Sequence, residues 1–367
     1  MVDHSGAATL GALKRIPAEG DRSVRARGVI AGLALLLCVT ALFSLTAGAS
    51  DASAVAVLTG WLSGTARDAA LSARDHIIVY DIRLPRIVLG MLVGAGLAVS
   101  GAVMQGLFRN PLADPGLVGV SAGASLGAVS VIVLGGTVLA PMVQALGSYA
   151  LPVSAFLGGL AVTIVLYRVS TRQGRTSIAT MLLAGIALAA LAGALTGILV
   201  FVADDRQLRD LTFWQLGSLA GATWTKIGAS APIIVLGLAA SPFLARGLNA
   251  LALGEATAAH LGVPVQRLKH VAIVMVSAVV GASVAVSGGI GFVGIVVPHL
   301  LRLAIGPDNR YLLPASALLG AILLLIADAI SRTIVAPAEL PIGIVTAAAG
   351  APFFLWILLR KRGVIDL

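Results

Sequence analysis

The sequence is poor in charged residues, aromatic residues and cysteine. Charged residues make up 11% of the 367 positions and aromatic residues 5%, and Cys38 is the one cysteine. A single cysteine excludes an internal disulfide and a cysteine metal cluster. No glycine in this sequence is followed by lysine, so the phosphate-binding loop of an ATPase is missing. Any ATP-driven process would therefore need a partner that binds the nucleotide.

Apolar residues are abundant: they make up 58% of the sequence, and the mean hydropathy is +1.01. A membrane-spanning helix needs roughly 20 mostly apolar residues. The sequence predicts an all-α polytopic membrane protein of about ten transmembrane helices, with a cytoplasmic tail over 1–27 and one permease domain over 28–367. The predicted spans are 29–49, 83–107, 117–135, 150–168, 178–202, 228–245, 270–287, 292–305, 312–331 and 342–359.

The distribution of positive charge predicts the orientation of these spans. Most of the 25 lysines and arginines fall in inside segments when the N-terminus is placed inside. This bias is typical of cytoplasmic loops and predicts that both termini are cytoplasmic. The net charge of +9 follows from the topology. It does not indicate nucleic acid binding, because no basic patch is interleaved with aromatic residues.

A ten-residue segment occurs twice in the sequence. Residues 94–103 resemble residues 281–290, with identical residues at six of the ten positions. The copies fall in the second and seventh predicted spans, and this odd separation predicts that they cross the membrane in opposite directions. Inverted repeats of this kind are typical of transporters. Chance similarity in an Ala/Gly/Val-rich sequence is the alternative.

Two short strings match enzyme motifs but lack the context that those motifs need. Residues 119–123 match a nucleophile elbow, which requires a strand-to-helix turn in a soluble sheet. Residues 289–294 match a dinucleotide-binding fingerprint, which requires a βαβ unit. Both strings lie at the borders of predicted spans instead. The sequence therefore predicts no catalytic residue and no metal site, and the protein is not expected to be an enzyme.

Asp328 is an acidic residue well inside a predicted span. Arg332 follows at the i, i+4 spacing of a helical ion pair, which is the favoured interpretation. A proton relay is the alternative, since an acid within the membrane is often functional.

The segment 252–265 is predicted to be a short amphipathic helix in the longest cytoplasmic loop, closed by Gly262 and Pro264. Leu253, Ala256 and His260 fall near one face by their spacing. A free loop would need no such face, whereas a docking helix would. A helix lying on the membrane surface is the alternative.

Six strings together resemble the FecCD/BtuC-type permeases, the membrane subunits of ABC importers for cobalamin, iron-siderophores and haem. They are residues 83–86, 101–105, 110–116, 252–255, 291–299 and 339–343. The resemblance implies a homodimer in the bacterial inner membrane, surrounded by lipid. It also implies two cytoplasmic ATPase subunits that bind ATP and Mg²⁺, and a periplasmic substrate-binding protein. No cofactor is expected on this chain.

The resemblance also implies roles for particular residues. The ATPase-coupling helix would lie within 252–265, and the binding protein would dock on three arginines, for which interfacial anchoring is the alternative. The gate has Ile178 and Ala179 where the family can show hydroxyl residues, so its chemistry stays open. The residues are Leu253, Gly254, Glu255, Ala256, His260 and Gly262 for coupling, Arg83, Arg86 and Arg332 for docking, and Asn110, Leu112, Ile178 and Ala179 for the gate.

The outer segment 204–218 looks most like that of the haem permeases. Arg209, or Arg206, could bind the haem propionates through charge-assisted hydrogen bonds. Phe213 and Trp214 could pack against the porphyrin, or they could form an interfacial aromatic belt. Siderophore and cobalamin remain alternative cargoes. A proton-coupled secondary transporter is the alternative from another class.

Overall fold

The computed structural model describes residues 22–46, 73–172 and 175–360 and forms a helical bundle. Within these residues, seven helical segments are long and apolar enough to cross a membrane, and three shorter apolar helices accompany them. The predicted all-α polytopic fold is confirmed, and the chain is a multi-pass membrane protein. The ten helices are α1 Ser23–Thr46, α2 Leu84–Phe108, α3 Val120–Leu134, α4 Ala150–Ser170, α5 Ile178–Val202, α6 Trp224–Ala252, α7 Val265–Ser287, α8 Val293–Ile305, α9 Asn309–Thr333 and α10 Ile342–Arg360.

Several short elements connect these helices. Two of them carry predicted site residues: an outer helix, Asp205–Gln215, between α5 and α6, and an inner helix, Glu255–His260, between α6 and α7. The others are the helix Ala73–His76, the π-helix Ile77–Arg83, the 3₁₀ turns Pro115–Val118 and Gly147–Tyr149, the helix Ala140–Leu146, and a two-stranded hairpin of β1 Thr171–Arg172 and β2 Arg175–Thr176.

Helices α2 and α7 form the centre of the bundle. Of their most apolar stretches, 83% and 78% are buried, against 11% for α5. α2 packs against α6, α7, α8 and α9. Small residues allow these close approaches, because apolar surface alone gives no preference for protein over lipid. α5 leaves large side chains such as Leu183 and Phe201 exposed on the outside of the bundle.

The first copy of the repeat lies on α2, the second covers the end of α7 and the three residues after it, and α2 and α7 run in opposite directions. Trp224 Nε1 donates to the carbonyl of Tyr80 at 3.0 Å, so α6 and the segment leading into α2 begin at the same end of the bundle. Ser218 N, shortly before α6, donates to the carbonyl of Ser287 at 2.8 Å, so α7 ends there. This end is called the outer end after the predicted orientation, and the opposite end is called the inner end.

The helix borders differ from the prediction where a helix stays buried on one side although polar residues interrupt its apolar run. α6 extends to Ala252 rather than 245, because Leu248 and Leu251 remain in the core beyond the apolar run. The predicted helix over 252–265 is therefore corrected to the shorter inner helix. α1 begins at Ser23, within the predicted tail 1–27, and residues 1–21 of that tail lie outside the described residues.

Candidate functional site

Four charged side chains meet at the outer end and form what we call the outer charge cluster. Asp328 of α9 lies between Arg86, near the start of α2, and Arg332. Arg86 Nε donates to Asp328 Oδ1 at 2.7 Å, and Arg332 Nε lies 3.0 Å from Asp328 Oδ2. Arg86 Nη1 also donates to both carboxylate oxygens of Glu339, at 2.9 and 2.8 Å. The predicted pairing of Asp328 with Arg332 is confirmed.

The arginines at this end are buried rather than presented on the surface. Arg83, Arg86 and Arg332 are 3%, 4% and 6% exposed, and Asp328 is fully buried. Arg332 also donates to the hydroxyl and carbonyl of Ser44, and Arg83 donates to a carbonyl at the end of α1. The sequence reasoning expected surface charges here and missed these internal partners. Docking of a binding protein on these three arginines stays a prediction.

The outer helix begins at a well-formed cap. Asp204 Oδ1 accepts from Gln207 N at 2.8 Å, and Gln207 Oε1 accepts from Asp204 N at 3.1 Å. This reciprocal capping box satisfies backbone donors that a helix start otherwise leaves unpaired. Gln207 Nε2 also donates to the carbonyl of Val133, and Leu211 is buried. The helix is therefore fixed against the bundle along one face.

The other face of the outer helix carries the predicted cargo contacts. Arg206, Arg209 and Phe213 are all exposed and follow the i, i+3, i+7 spacing of one face. Trp214 is partly buried and packs against the core, so it lies on a different face. The structure thus places Arg209 and Phe213 on one exposed face of the outer helix and Trp214 on another. Their contact with cargo stays a prediction.

Glycines allow three chain segments to meet directly beneath the outer helix. Gly343 N, at the start of α10, donates to the carbonyl of Leu216 at 3.1 Å. A Cβ on Gly343 would overlap this carbonyl, and a Cβ on Gly288 would overlap the carbonyl of Trp214. Gly288 also has a φ of +70°, which side chains rarely tolerate. The outer helix therefore rests on the break after α7 and on the start of α10.

A cavity of about 260 Å³ lies between the turn after α2 and the break before α8. Asp114, Ser121 and the backbone near Gly291 contribute to its lining. Asp114 Oδ1 accepts from Gly116 N at 2.7 Å. Burial raises the pKa of the Asp114 carboxyl, while this hydrogen bond acts in the opposite direction. Non-helical backbone after α2 and before α8 thus lines a cavity, a setting in which a membrane protein tolerates such backbone.

The predicted gate residues lie in two neighbouring segments. Asn110 is exposed, and its Oδ1 accepts from the backbone N–H of the half-buried Leu112 at 2.9 Å. Ile178 is half-buried and Ala179 exposed at the start of α5, and α5 packs against the 3₁₀ turn that follows Leu112. Neither Ile178 nor Ala179 has a side chain that can hydrogen-bond. Gating by these four residues stays a prediction.

The inner helix presents apolar residues at the inner end. Leu253 and Leu261, at its two borders, are 66% and 63% exposed, and Ala256 and His260 are exposed between them. The predicted face is changed in one respect, since Leu253 lies in the turn before the helix. Gly254 and Gly262, with φ of +109° and +81°, form the turns on either side. Exposed apolar residues grouped in this way are typical of an interaction surface.

Lys269, at the start of α7, was missed by the sequence reasoning. Its Nζ lies 2.8 Å from Glu255 Oε1 of the inner helix and donates to the carbonyl of Thr176 at 3.2 Å. Glu255 pairs with Lys269 while its side chain remains 42% exposed, and its predicted contact with an ATPase stays a prediction. No sequence spacing indicates the contact of Glu255 with Lys269, because a helix and a turn separate the two residues.

The comparisons with known proteins agree with this architecture. The model of the FecCD transport family matches residues 35–360. The hemin transport system permease protein HmuU of Yersinia pestis is 45% identical over 339 residues, which cover 92% of this chain and 97% of that protein. A cobalamin import system permease protein BtuC of Halobacterium salinarum is 47% identical over 79% of this chain and 75% of that protein. The vitamin B12 import system permease protein BtuC of Klebsiella pneumoniae is 42% identical over 92% and 96%.

A solved structure supports the same assignment. An inward-facing metal-chelate type ABC transporter has a TM-score of 0.78 and 33% identity, covering 91% of this chain and 99% of the other. The match to the family model spans nearly all of the described helices. The chain therefore belongs to the FecCD transport family and is a permease of an ABC importer.

Proposed function

We propose that this chain forms the membrane pathway for haem in an ATP-driven importer. The observation that carries the proposal is the exposed pair of Arg209 and Phe213 on the outer helix. Haem has an apolar face and two anionic propionates, so a guanidinium beside an aromatic ring suits both parts. The 45% identity to a protein named as a hemin permease supports this cargo. Cobalamin is the second candidate because other relatives are named for it, and an iron-siderophore is the third.

The energy would come from two ATPase subunits that bind ATP and Mg²⁺, since this sequence has no phosphate-binding loop. The exposed apolar residues around the inner helix would receive these subunits, with Leu253, Glu255 and His260 among the contacts. A second copy of the chain would complete the pathway, and the exposed apolar side chains of α5 are consistent with such a partner. No cofactor is proposed on this chain.

The protein would lie in a bacterial inner membrane with both termini in the cytoplasm. A periplasmic binding protein would then deliver cargo at the outer end. Glu339 is 40% exposed at its side chain, whereas Arg86 beneath it is buried. A carboxylate of the binding protein could therefore replace Glu339 on Arg86 without exposing that arginine to lipid. Complementary charges of this kind favour correct docking.

The proposed function predicts haem uptake that depends on ATP and on all the partner subunits. Proteoliposomes would contain the chain, its ATPase subunits and its binding protein, and uptake of haem, cobalamin and a ferric siderophore would be measured. We expect haem to accumulate only with ATP and Mg²⁺. Uptake of cobalamin or siderophore without haem would contradict the cargo. Uphill uptake by the chain alone on a proton gradient would contradict the importer mechanism and favour a secondary transporter.

Arg209→Ala is expected to lower haem uptake several-fold, because the propionates lose a charged donor near the outer mouth. Arg209→Lys should restore only part of the uptake, since lysine keeps the charge but loses the paired donors of the guanidinium. Arg206→Ala, on the same face but farther from Phe213, is the matched comparison and should have the smaller effect. ATP hydrolysis without haem, measured on the same preparations, reports assembly. If Arg209→Ala does not change haem uptake, the proposed contact of Arg209 with haem is wrong, while haem remains the proposed cargo.

A further inference from the structure

We infer that Lys269 is a positioning residue that transmits movement of the inner helix to the start of α5. The inference rests on the proposed ATP-driven mechanism, in which the inner helix contacts the ATPase. Lys269 is buried and would link the inner helix to the start of α5, where two of the predicted gate residues lie.

The geometry around Lys269 is that of a connection between two elements. Its side chain is 3% exposed, and its Nζ contacts Glu255 Oε1 on one side and the Thr176 carbonyl on the other. Glu255 is in the first turn of the inner helix, and Thr176 ends strand β2. A buried ammonium needs a partner with opposite charge and further hydrogen bonds. Lys269 finds them in two separate segments, so it holds those segments together.

The hairpin is held firmly and leads directly into α5. Thr176 N donates to Gln266 Oε1 of α7 at 2.8 Å, so both backbone polar groups of Thr176 bind α7. Ser177 N donates to the carbonyl of Ser170 at 3.0 Å, which closes the hairpin. The Ser177 hydroxyl accepts from Thr180 N at 3.3 Å and caps α5. A displacement at Thr176 therefore reaches Ile178 through one intervening residue.

The other side of the loop is anchored to a different helix. Asn249, near the end of α6, donates from Nδ2 to Asp308 Oδ1 at 2.7 Å, and its Oδ1 accepts from Asn309 N at 2.9 Å. Partial burial acts to raise the pKa of Asp308, but the hydrogen bonds from Arg310 and Asn249 hold it below its ordinary value. Asp308 therefore stays ionised as the cap of α9. Because α6 is fixed in this way, movement of the inner helix is directed towards Lys269 and α5.

The test compares Lys269→Met with Lys269→Arg and with Arg267→Met, an exposed neighbour on the same helix. Cysteines replace the exposed Ala259 of the inner helix and Ala179 of α5 in a Cys38→Ser background, and both carry spin labels. Their separation is measured with and without trapped nucleotide in assembled complexes that contain one labelled copy. The amount of haem moved per ATP hydrolysed is measured on unlabelled complexes.

We expect a narrow distance distribution in the unsubstituted complex that nucleotide leaves nearly unchanged, because the two segments move together. Lys269→Met should broaden this distribution and lower the haem moved per ATP by about tenfold, within the range of typical coupling free energies. Lys269→Arg should restore both values, and Arg267→Met should change neither. If Lys269→Met lowers assembly, Glu255→Gln, which leaves the hydrogen bond to Thr176, should give a smaller change of the same kind.

An unchanged distance distribution in Lys269→Met would overturn the inference. Equal falls in uptake and hydrolysis, with their ratio preserved, would also overturn it and indicate a purely structural role. Failure of the unsubstituted complex to take up haem would contradict the proposed cargo instead. In that case the spin-label distances still decide whether Lys269 joins the two segments.

Discussion

Asp328→Leu is expected to lower the stability of the permease by about 3–5 kcal/mol, as breaking one side of a buried ion pair does. Leucine branches at Cγ as aspartate does but is larger, so no cavity is left, and the loss combines the unpaired arginine charge with some overpacking. Arg332 would lose its carboxylate partner, and Arg86 would retain only the partly exposed Glu339. Thermal unfolding of the purified chain in detergent measures the effect as a fall in Tm.

Two further variants test this explanation. Asp81→Asn removes an exposed acidic residue at the same end and should leave the Tm nearly unchanged. Arg332→Leu combined with Asp328→Leu should recover part of the lost stability, because it removes the buried charge that has lost its carboxylate partner. A Tm for Asp328→Leu equal to that of the unsubstituted chain would show that the outer charge cluster does not stabilise the fold.

The number and positions of the membrane helices could be predicted because bilayer thickness fixes the length of an apolar run. α8, predicted over 292–305, is observed over Val293–Ile305. The predicted borders were wrong where a helix continues to pack on the core beyond its apolar run, as at the inner end of α6. There Leu248 and Leu251 keep the helix on the core although Arg246 and Asn249 interrupt the apolar run.

The charge pairs could be predicted only where both partners share a helix. Asp328 and Arg332 are one turn apart, so helical spacing indicated their contact. Arg86 is 242 residues from Asp328 and 253 from Glu339, and no local pattern reports such contacts. The other two predicted docking arginines are buried against the end of α1, which is also distant in sequence, so their burial was missed for the same reason. The exposed face of the outer helix could have been predicted, because the i, i+3, i+7 spacing of Arg206, Arg209 and Phe213 is visible in the sequence.

The repeat illustrates how one pattern can serve two structures. In the first copy, Gly94 and Gly101 are seven residues apart on one face of α2, where they approach α9 and α8. In the second copy, Gly281 occupies the position of Gly94, and Gly288 ends α7 with a positive φ. The sequence showed that small residues recur, but the segments that approach them come from elsewhere in the chain. Only the packed structure therefore distinguishes a helix contact from a helix end.

Gly101→Ala is expected to lower the stability by about 1–3 kcal/mol, in the range of overpacked sites. A Cβ at Gly101 would overlap the backbone of Gly294, and backbone cannot turn aside as a flexible side chain can. Gln105 Nε2, one turn further along α2, donates to the carbonyls of Gly294 and Ile295 at 3.3 Å, so separating α2 from α8 would weaken these bonds as well. The measurement is the Tm of the purified chain.

Gly228→Ala is the matched control, because it adds the same methyl group to a membrane helix where no atom lies within 4 Å of the new Cβ. Alanine there should leave the Tm unchanged or raise it slightly, since glycine within a helix costs roughly 0.5–1 kcal/mol relative to alanine. The two variants differ only in what the methyl group meets, so the difference between their Tm values isolates the contact of α2 with α8. If Gly101→Ala and Gly228→Ala have the same Tm, α2 and α8 do not approach as closely as the structure describes.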